Sequence, residues 1–378
     1  MNFGTKLIHN GNEIDKSTGA ISIPIYQTST FHQFDIDDFG KYDYSRSGNP
    51  TREALENSIA ILEGGDRGFA FSSGMAAISS VLSIFASGDH LIACKDVYGG
   101  TYRITSQFLS KFNVETSLID TTDVDEVREH IRENTKAIFL ESPSNPLLKI
   151  TNFHAIIKIA KEHNIIVIVD NTFMSPYLQN PIKLGADIVV HSATKFISGH
   201  SDVVGGLVAV KGEKLAERVY FVQNAFGAIL GPQDSWLILR GLKTLKVRLD
   251  QEQKSAAKLT EWLNEQDLVE KVYYPGLKTH EGSDIHFSQA KGGGAVLSFE
   301  TKTVETAIKF MKNVKLAAVA VSLGGVETIV SYPVKMSHAS IPKEEREKLG
   351  IKDTLIRVSV GLEDIEDLIK DFKIALEA

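Results

Sequence analysis

Between residue 51 and about residue 211 the chain alternates amphipathic stretches with short apolar runs, without interruption. Thr51 to Leu62 spells a helix, Gly68 to Phe71 a strand, Gly74 to Phe85 a helix, His90 to Cys94 a strand, Thr101 to Phe112 a helix and Val114 to Ile119 a strand. Val124 to Arg132, Lys136 to Leu140, Asn152 to His163, Ile165 to Val169 and Asp187 to Val190 continue the series as helix, strand, helix, strand and strand. The strands are apolar at consecutive positions rather than at every second one, as strands covered on both faces of a mainly parallel sheet are. The pattern predicts an α/β domain.

Around Gly231-Pro232 the rhythm changes. Ile238, Leu242, Leu245 and Leu249 recur at helical spacing, and the pattern runs on through Leu259, Trp262 and Leu263. Beyond it, Ala295–Phe299, Thr328–Val330 and Leu355–Val360 read as strands of a second domain. A closing helix then places Ile365, Leu368, Ile369, Phe372 and Leu376 on one face. The first 48 residues have weak periodicity and the breakers Pro24, Gly40, Gly48 and Pro50, which predicts an extended arm. The expected organisation is an arm at 1–48, an α/β domain at 49–231 and an α+β domain at 232–378.

At 378 residues the chain is long enough for two cores. Its net charge of −7 argues against a nucleic-acid partner, which needs a clustered cationic face. No apolar run approaches the roughly 18 to 20 residues of a membrane span, and MNFGTKLIHNG lacks the apolar segment of a secretory signal. A cytoplasmic protein is expected. The single cysteine, Cys94, excludes an internal disulfide and reads as a buried strand residue.

In an open α/β sheet, ligands bind beyond the carboxyl ends of the strands. Four strand ends here are unusual. FAFSSGMAAIS offers serine hydroxyls, a glycine and the free N–H groups of a helix start, which suits a phosphate. VIVDNTF ends on Asp170, a carboxylate able to hold a protonated ring nitrogen. ACKDVYGGTYR puts Tyr98 where its ring could stack on a planar ligand, and HSATK supplies Lys195. Each part has a plain alternative, a serine cap or a solvated charge. Together they are the parts for pyridoxal 5'-phosphate: an amine for the aldehyde, an acid for the pyridine nitrogen, an aromatic face and a phosphate cradle.

YDYSRSGNPTR, SSGMAA, DVYGGTYR, ESPSNP, DNTF, HSATKFISGHSDVVGG and SLGGVET together resemble the Cys/Met-metabolism family of pyridoxal phosphate enzymes, from the arm to LIRVSVGLED. The resemblance implies the aspartate-aminotransferase-type fold (fold type I) and a homotetramer, a dimer of dimers with shared active sites. It implies that Lys195 carries the cofactor as an imine and shuttles the proton, that Asp170 meets the pyridine nitrogen, and that Tyr98 stacks and assists in activating the incoming amino acid. Gly74, Met75, Ser192 and Thr194 would hold the phosphate. Tyr44 and Arg46, on the arm, would reach the phosphate of a neighbouring subunit's cofactor. Arg357 would hold the substrate α-carboxylate with Asn145 and Ser322, and with Ser337 near the arginine; a structural ion pair is the alternative for Arg357.

The implied reaction is cleavage of a carbon–sulfur bond of cystathionine, at Cβ or at Cγ. Gly100 stands where methionine γ-lyases carry a cysteine, which disfavours methionine as substrate. Glu327 is common in γ-acting members. QNAFGAILGPQDSWLILRGLKTL and SYPVKMSHASIPKEERE look most like cystathionine lyases of low-GC Gram-positive bacteria, several of them β-lyases, and this tips the reading towards β-cleavage. The alternatives are a γ-synthase joining cysteine to an activated homoserine ester and, remotely, a metal-dependent hydrolase using His191, His200 and Asp202, whose spacing matches no common metal motif.

Overall fold

The structure, a computed structural model, describes residues 1–339 and 343–378. Seven strands form the larger sheet: β1 (Arg67–Phe71), β2 (His90–Cys94), β3 (Glu115–Ile119), β4 (Thr135–Glu141), β5 (Ile166–Asp170), β6 (Ile188–Ser192) and β7 (Gly206–Val210). Their spatial order is β1-β7-β6-β5-β4-β2-β3, and only β7 runs against its neighbours. One face packs Phe69, Phe139, Ile168 and Val190 against the helix Gly74–Leu82. The other packs Ile138, Leu140, Val167 and Val169 against the helix Phe153–Glu162. Burial on both faces explains why these strands lack alternation.

A second sheet has the order β10-β11-β12-β9-β8. Its strands are β8 (Val269–Tyr273), β9 (Val296–Thr301), β10 (Ala318–Val319), β11 (Ile329–Ser331) and β12 (Leu355–Ser359). It shares a core with the helices Leu245–Asn264, Val304–Asn313 and Ile365–Glu377, in which Phe299, Phe310 and Phe372 meet edge to face.

Several elements depart from the sequence reading. Phe3–His9 is a helix, anchored by buried Leu7, inside what reads as an extended arm. The run 101–112 starts at Gly99 and changes gauge, from α-helix through a π turn over Ile104–Phe108 to a 3-10 turn over Leu109–Phe112. The connector breaks at Lys243–Thr244 into the helices Pro232–Leu242 and Leu245–Asn264. The rest of the arm lies along its own chain at Ile23–Tyr26, where Trp236 Nε1 donates to the Ile23 carbonyl and Thr51 Oγ1 to that of Pro24. Further on, Phe34 and Ile36 stand 94% and 86% exposed. Among the described residues, no helix is long and apolar enough to cross a membrane.

The parallel run of β4, β5 and β6 is what positions the site. Register pairs Glu141 with Asp170 and Asp170 with Val190, so the carboxyl ends of three strands lie side by side. The antiparallel β7 starts at the same edge, its Gly206 paired with Ser192 and with Phe71. A side chain at Gly206 would collide with the Ser73 carbonyl, 2.2 Å from where its Cβ would stand. The glycine lets the turn after β1 close onto the turn after β6.

Candidate active site

Lys195 follows the buried strand β6 by three residues, and its Nζ donates to Ser322 Oγ at 2.5 Å. Burial, and then the nearby charge of Arg357, lowers its pKa to about 8. A solvated lysine would show neither feature. Ser322 belongs to SLGG, a loop pressed against the lysine's own backbone: a Cβ on Gly324 would stand 2.5 Å from the Phe196 nitrogen and 2.9 Å from the Lys195 carbonyl carbon.

Arg357 sits in the middle of β12 and is buried. Nη1 donates to Asn145 Oδ1 at 3.0 Å, and Nη2 to the Ser322 carbonyl at 2.7 Å and to Ser331 Oγ at 3.1 Å. Its Nε is buried with no hydrogen-bond partner among the described residues. Among the described residues no carboxylate lies within ion-pair distance of it, so the structural ion pair is not what this arginine makes. Burial lowers its pKa to about 10. A buried, uncompensated guanidinium is costly, and its fork matches an incoming carboxylate. Ser337 Oγ bonds His338 Nδ1 at 2.9 Å, and His338 is itself buried and kept neutral, its pKa lowered to about 4 first by burial and then by Arg357.

Asp170 ends β5 and is buried; Thr172 donates to its Oδ1 twice, from N at 3.0 Å and from Oγ1 at 2.5 Å. The same threonine hydroxyl accepts from Ser192 N at 2.8 Å, tying the ends of β5 and β6 together. Burial raises the Asp170 pKa while the Thr172 bonds oppose the rise. Ser73 caps the helix Gly74–Leu82, its Oγ accepting from Ala76 N, so the N–H groups of Gly74 and Met75 open the helix beside Ser192. A Cβ on Gly74 would stand 2.8 Å from Ser192 Cβ, and one on Gly100 would meet Met75 Sδ at 2.4 Å and Tyr98 Cε1 at 2.7 Å. The structure therefore brings Gly74, Met75, Tyr98 and Ser192 to one place. The Tyr98 ring remains open, with the residue 42% exposed.

Other expected residues stand differently. Thr194 Oγ1 is engaged by Gly205, accepting from its N at 3.1 Å and donating to its carbonyl at 3.3 Å. Tyr44 and Arg46 are exposed; Arg46 stacks over the Tyr44 ring at 5.7 Å and donates to the Asn224 carbonyl at 2.9 Å. Glu327 is exposed, accepting from Ser201 Oγ at 3.4 Å. His191, His200 and Asp202 do not converge: His191 Nε2 pairs with buried Glu63 at 2.6 Å, His200 Nδ1 bonds the Ser198 carbonyl at 2.6 Å, and Asp202 is exposed. Among the described residues no cluster of three or more His, Cys, Asp or Glu is placed for a metal.

Two residues of the site are absent from the sequence reading. Thr172 is signalled by a hydroxyl two positions after an acid, the spacing of a local side-chain cap. Glu141 opens ESPSNP and ends β4.

The residues present fit pyridoxal phosphate. They supply an amine whose pKa is lowered to about 8, a buried acid with no ion-pair partner among the described residues, an open aromatic face and a helix start beside Ser192. The unpartnered Arg357 Nε adds a cationic recess for a substrate carboxylate.

The family described as Cys/Met metabolism PLP-dependent enzyme matches residues 4–377. The chain is 55% identical over 373 residues to a cystathionine beta-lyase (MetC) of Bacillus subtilis strain 168, covering 99% of this chain and 96% of that protein. It is 50% identical to a cystathionine gamma-lyase of the same strain, with coverage of 99% and 98%. The crystal structure of a cystathionine gamma-lyase from Lactobacillus plantarum complexed with L-serine superposes with a TM-score of 0.98 at 46% identity, covering 100% of this chain and 99% of that one. With its sheet order, its strand-end residues and these matches along the whole length, the chain belongs to the Cys/Met-metabolism family of pyridoxal phosphate-dependent enzymes.

Proposed function

We propose that this protein is a pyridoxal phosphate-dependent carbon–sulfur lyase acting on cystathionine, with β-cleavage as its reaction. The observation that carries the reading is the junction at Ser322, where a partly buried amine of lowered pKa and a buried guanidinium with no acid partner among the described residues meet on one residue. Likeness to cystathionine lyases at 50 to 55% identity names the substrate class.

Bound there, the cofactor supplies an electron sink that lets an amino acid's Cα–H bond break. Lys195 would hold the cofactor's aldehyde carbon, and its amine would take the Cα proton, a role that needs a neutral amine near working pH. Asp170 would face the pyridine nitrogen, Tyr98 would stack on the ring, and Gly74, Met75, Ser192 and Thr194 would hold the phosphate. Arg357 and Asn145 grip the α-carboxylate, Ser322 aims the amine, Ser337 supports the arginine's surroundings, and Glu327 lines the mouth.

The working enzyme is a homotetramer of chains with an arm at 1–48 and domains at 49–231 and 232–378. Tyr44 and Arg46 reach a neighbouring subunit's phosphate site. The exposure of Phe34 and Ile36 supports an arm that lies against another chain.

Product analysis with cystathionine tests the reading. Homocysteine, pyruvate and ammonia support β-cleavage. Cysteine, 2-oxobutyrate and ammonia support the second reading, γ-cleavage, which the likeness to gamma-lyases favours. No cleavage, with turnover of an O-acylhomoserine ester plus cysteine instead, would replace both.

A further inference from the structure

We propose that Glu141 is a positioning residue for the cofactor and substrate sites: its carboxyl fastens the turn bearing Tyr98 to the end of β4, where the turn bearing Asn145 begins, directly beside Asp170. The inference rests on the pyridoxal phosphate reading above. Glu141 is 6% exposed and ends β4 in register with Asp170 at the end of β5. Adjacent parallel strands stand about 4.8 Å apart, and both carboxyls project on the face that carries Phe139 and Ile168. Oε2 of Glu141 accepts from the backbone N–H of Tyr98 at 3.0 Å.

One side chain therefore ties the turn after β2 to the end of β4, beside the end of β5. Tyr98 precedes a helix of only five residues that changes gauge within one turn, so its ring direction depends on where its own N–H is held. Asn145 carries the Oδ1 that receives Arg357 Nη1. A shift of the Glu141 carboxyl would move the stacking ring and the carboxylate site together.

The pair of acids also divides its labour. Two buried carboxyls this close do not both ionise readily. Asp170 has the two Thr172 bonds to support its charge. Burial and then the Asp170 charge push Glu141 well up, and Asp96, from the turn after β2, pushes the same way. Glu141 is thus pushed further towards the neutral acid than Asp170 is. A neutral acceptor of the same length would serve equally well, which is what glutamine provides.

The test is titration of apoprotein with pyridoxal phosphate, read by visible absorbance, together with kcat and KM for cystathionine and a melting curve. Glu141→Gln is expected to stay within about threefold of wild type in cofactor Kd and in KM. Glu141→Ala, which leaves the Tyr98 N–H without its acceptor, is expected to weaken both by about tenfold or more. Glu141→Asp shortens the reach by one methylene and carries the test if the alanine variant does not fold; it is expected to lose cofactor affinity and KM while remaining folded. Gln losing as much as Ala, or Ala and Asp changing the melting temperature alone, would overturn the proposal. A wild-type protein that gains no visible absorbance would instead overturn the cofactor reading and this inference with it.

Discussion

Lys195 and Arg357 are fastened to opposite groups of one residue: Ser322 receives the lysine Nζ on its hydroxyl at 2.5 Å and the arginine Nη2 on its carbonyl at 2.7 Å. The arginine's charge disfavours that of the lysine; Arg357 is buried and Lys195 partly so. The lysine yields first, at a pKa of about 8, because an amine gives up its proton far more readily than a guanidinium. Ser322 holds φ at 86°, a left-handed conformation that costs a non-glycine residue roughly 1–3 kcal/mol. The Gly324 N–H donating to buried Ser359 Oγ helps to hold the loop in that shape. A hydroxyl aims the amine without adding the negative charge that would keep it protonated.

Ser322→Ala removes the aim and leaves the cofactor's own contacts intact. Turnover is expected to fall about tenfold, one lost hydrogen bond's worth, while cofactor Kd stays within twofold. Steady-state kinetics beside an absorbance titration checks both.

The pKa of Lys195 sets a pH window. Only the neutral amine attacks an aldehyde, so the rate at which apoprotein captures pyridoxal phosphate should climb with pH and level off above about pH 8. An ordinary lysine would keep the rate climbing past pH 10. Stopped-flow absorbance across pH 6 to 10 reads the profile. Replacing Arg357 by glutamine should move the plateau to higher pH, because the neighbouring charge is removed.

Arg357→Lys keeps one charge but loses the fork and its links to Asn145 and Ser331. The KM for cystathionine is expected to rise about 100-fold, as for a lost charge-assisted pair, with the visible absorbance of the bound cofactor unchanged. Loss of cofactor binding instead would place the arginine in the wrong role.

At Gly74 a methyl group would stand 2.8 Å from Ser192 Cβ, at the mouth of the helix start. Gly74→Ala is expected to cost about 1–3 kcal/mol in stability and to weaken cofactor binding by tenfold or more. Melting curves with and without cofactor separate the two effects.

The chemistry was legible in the sequence because it sits at strand ends. Apolar runs that stop on Asp170 or shortly before Lys195 announce a polar side chain placed at the edge of a buried sheet. Arg357 was legible for the opposite reason, as a charge inside an apolar strand. What depends on the far side of the fold was not. Ser322 reads as a carboxylate contact, yet its hydroxyl meets Lys195, 127 positions away. Thr194 reads as a phosphate ligand, and its bonds to Gly205, formed because the chain turns back there into β7, are not signalled by the sequence. Glu141 resembles any acid ending a strand until the register sets it beside Asp170. The helix Phe3–His9 has too few turns for its periodicity to register, and one buried side chain, Leu7, anchors it.

The central claim is that the amine of Lys195 alone bonds to the cofactor. Borohydride reduction of the loaded enzyme, followed by proteolysis and peptide mass spectrometry, reads it directly. A pyridoxyl group on the peptide containing Lys195, lost in Lys195→Ala together with the visible absorbance, is the predicted result. A reduced adduct on any other lysine, or none in an enzyme that still cleaves cystathionine, would contradict it.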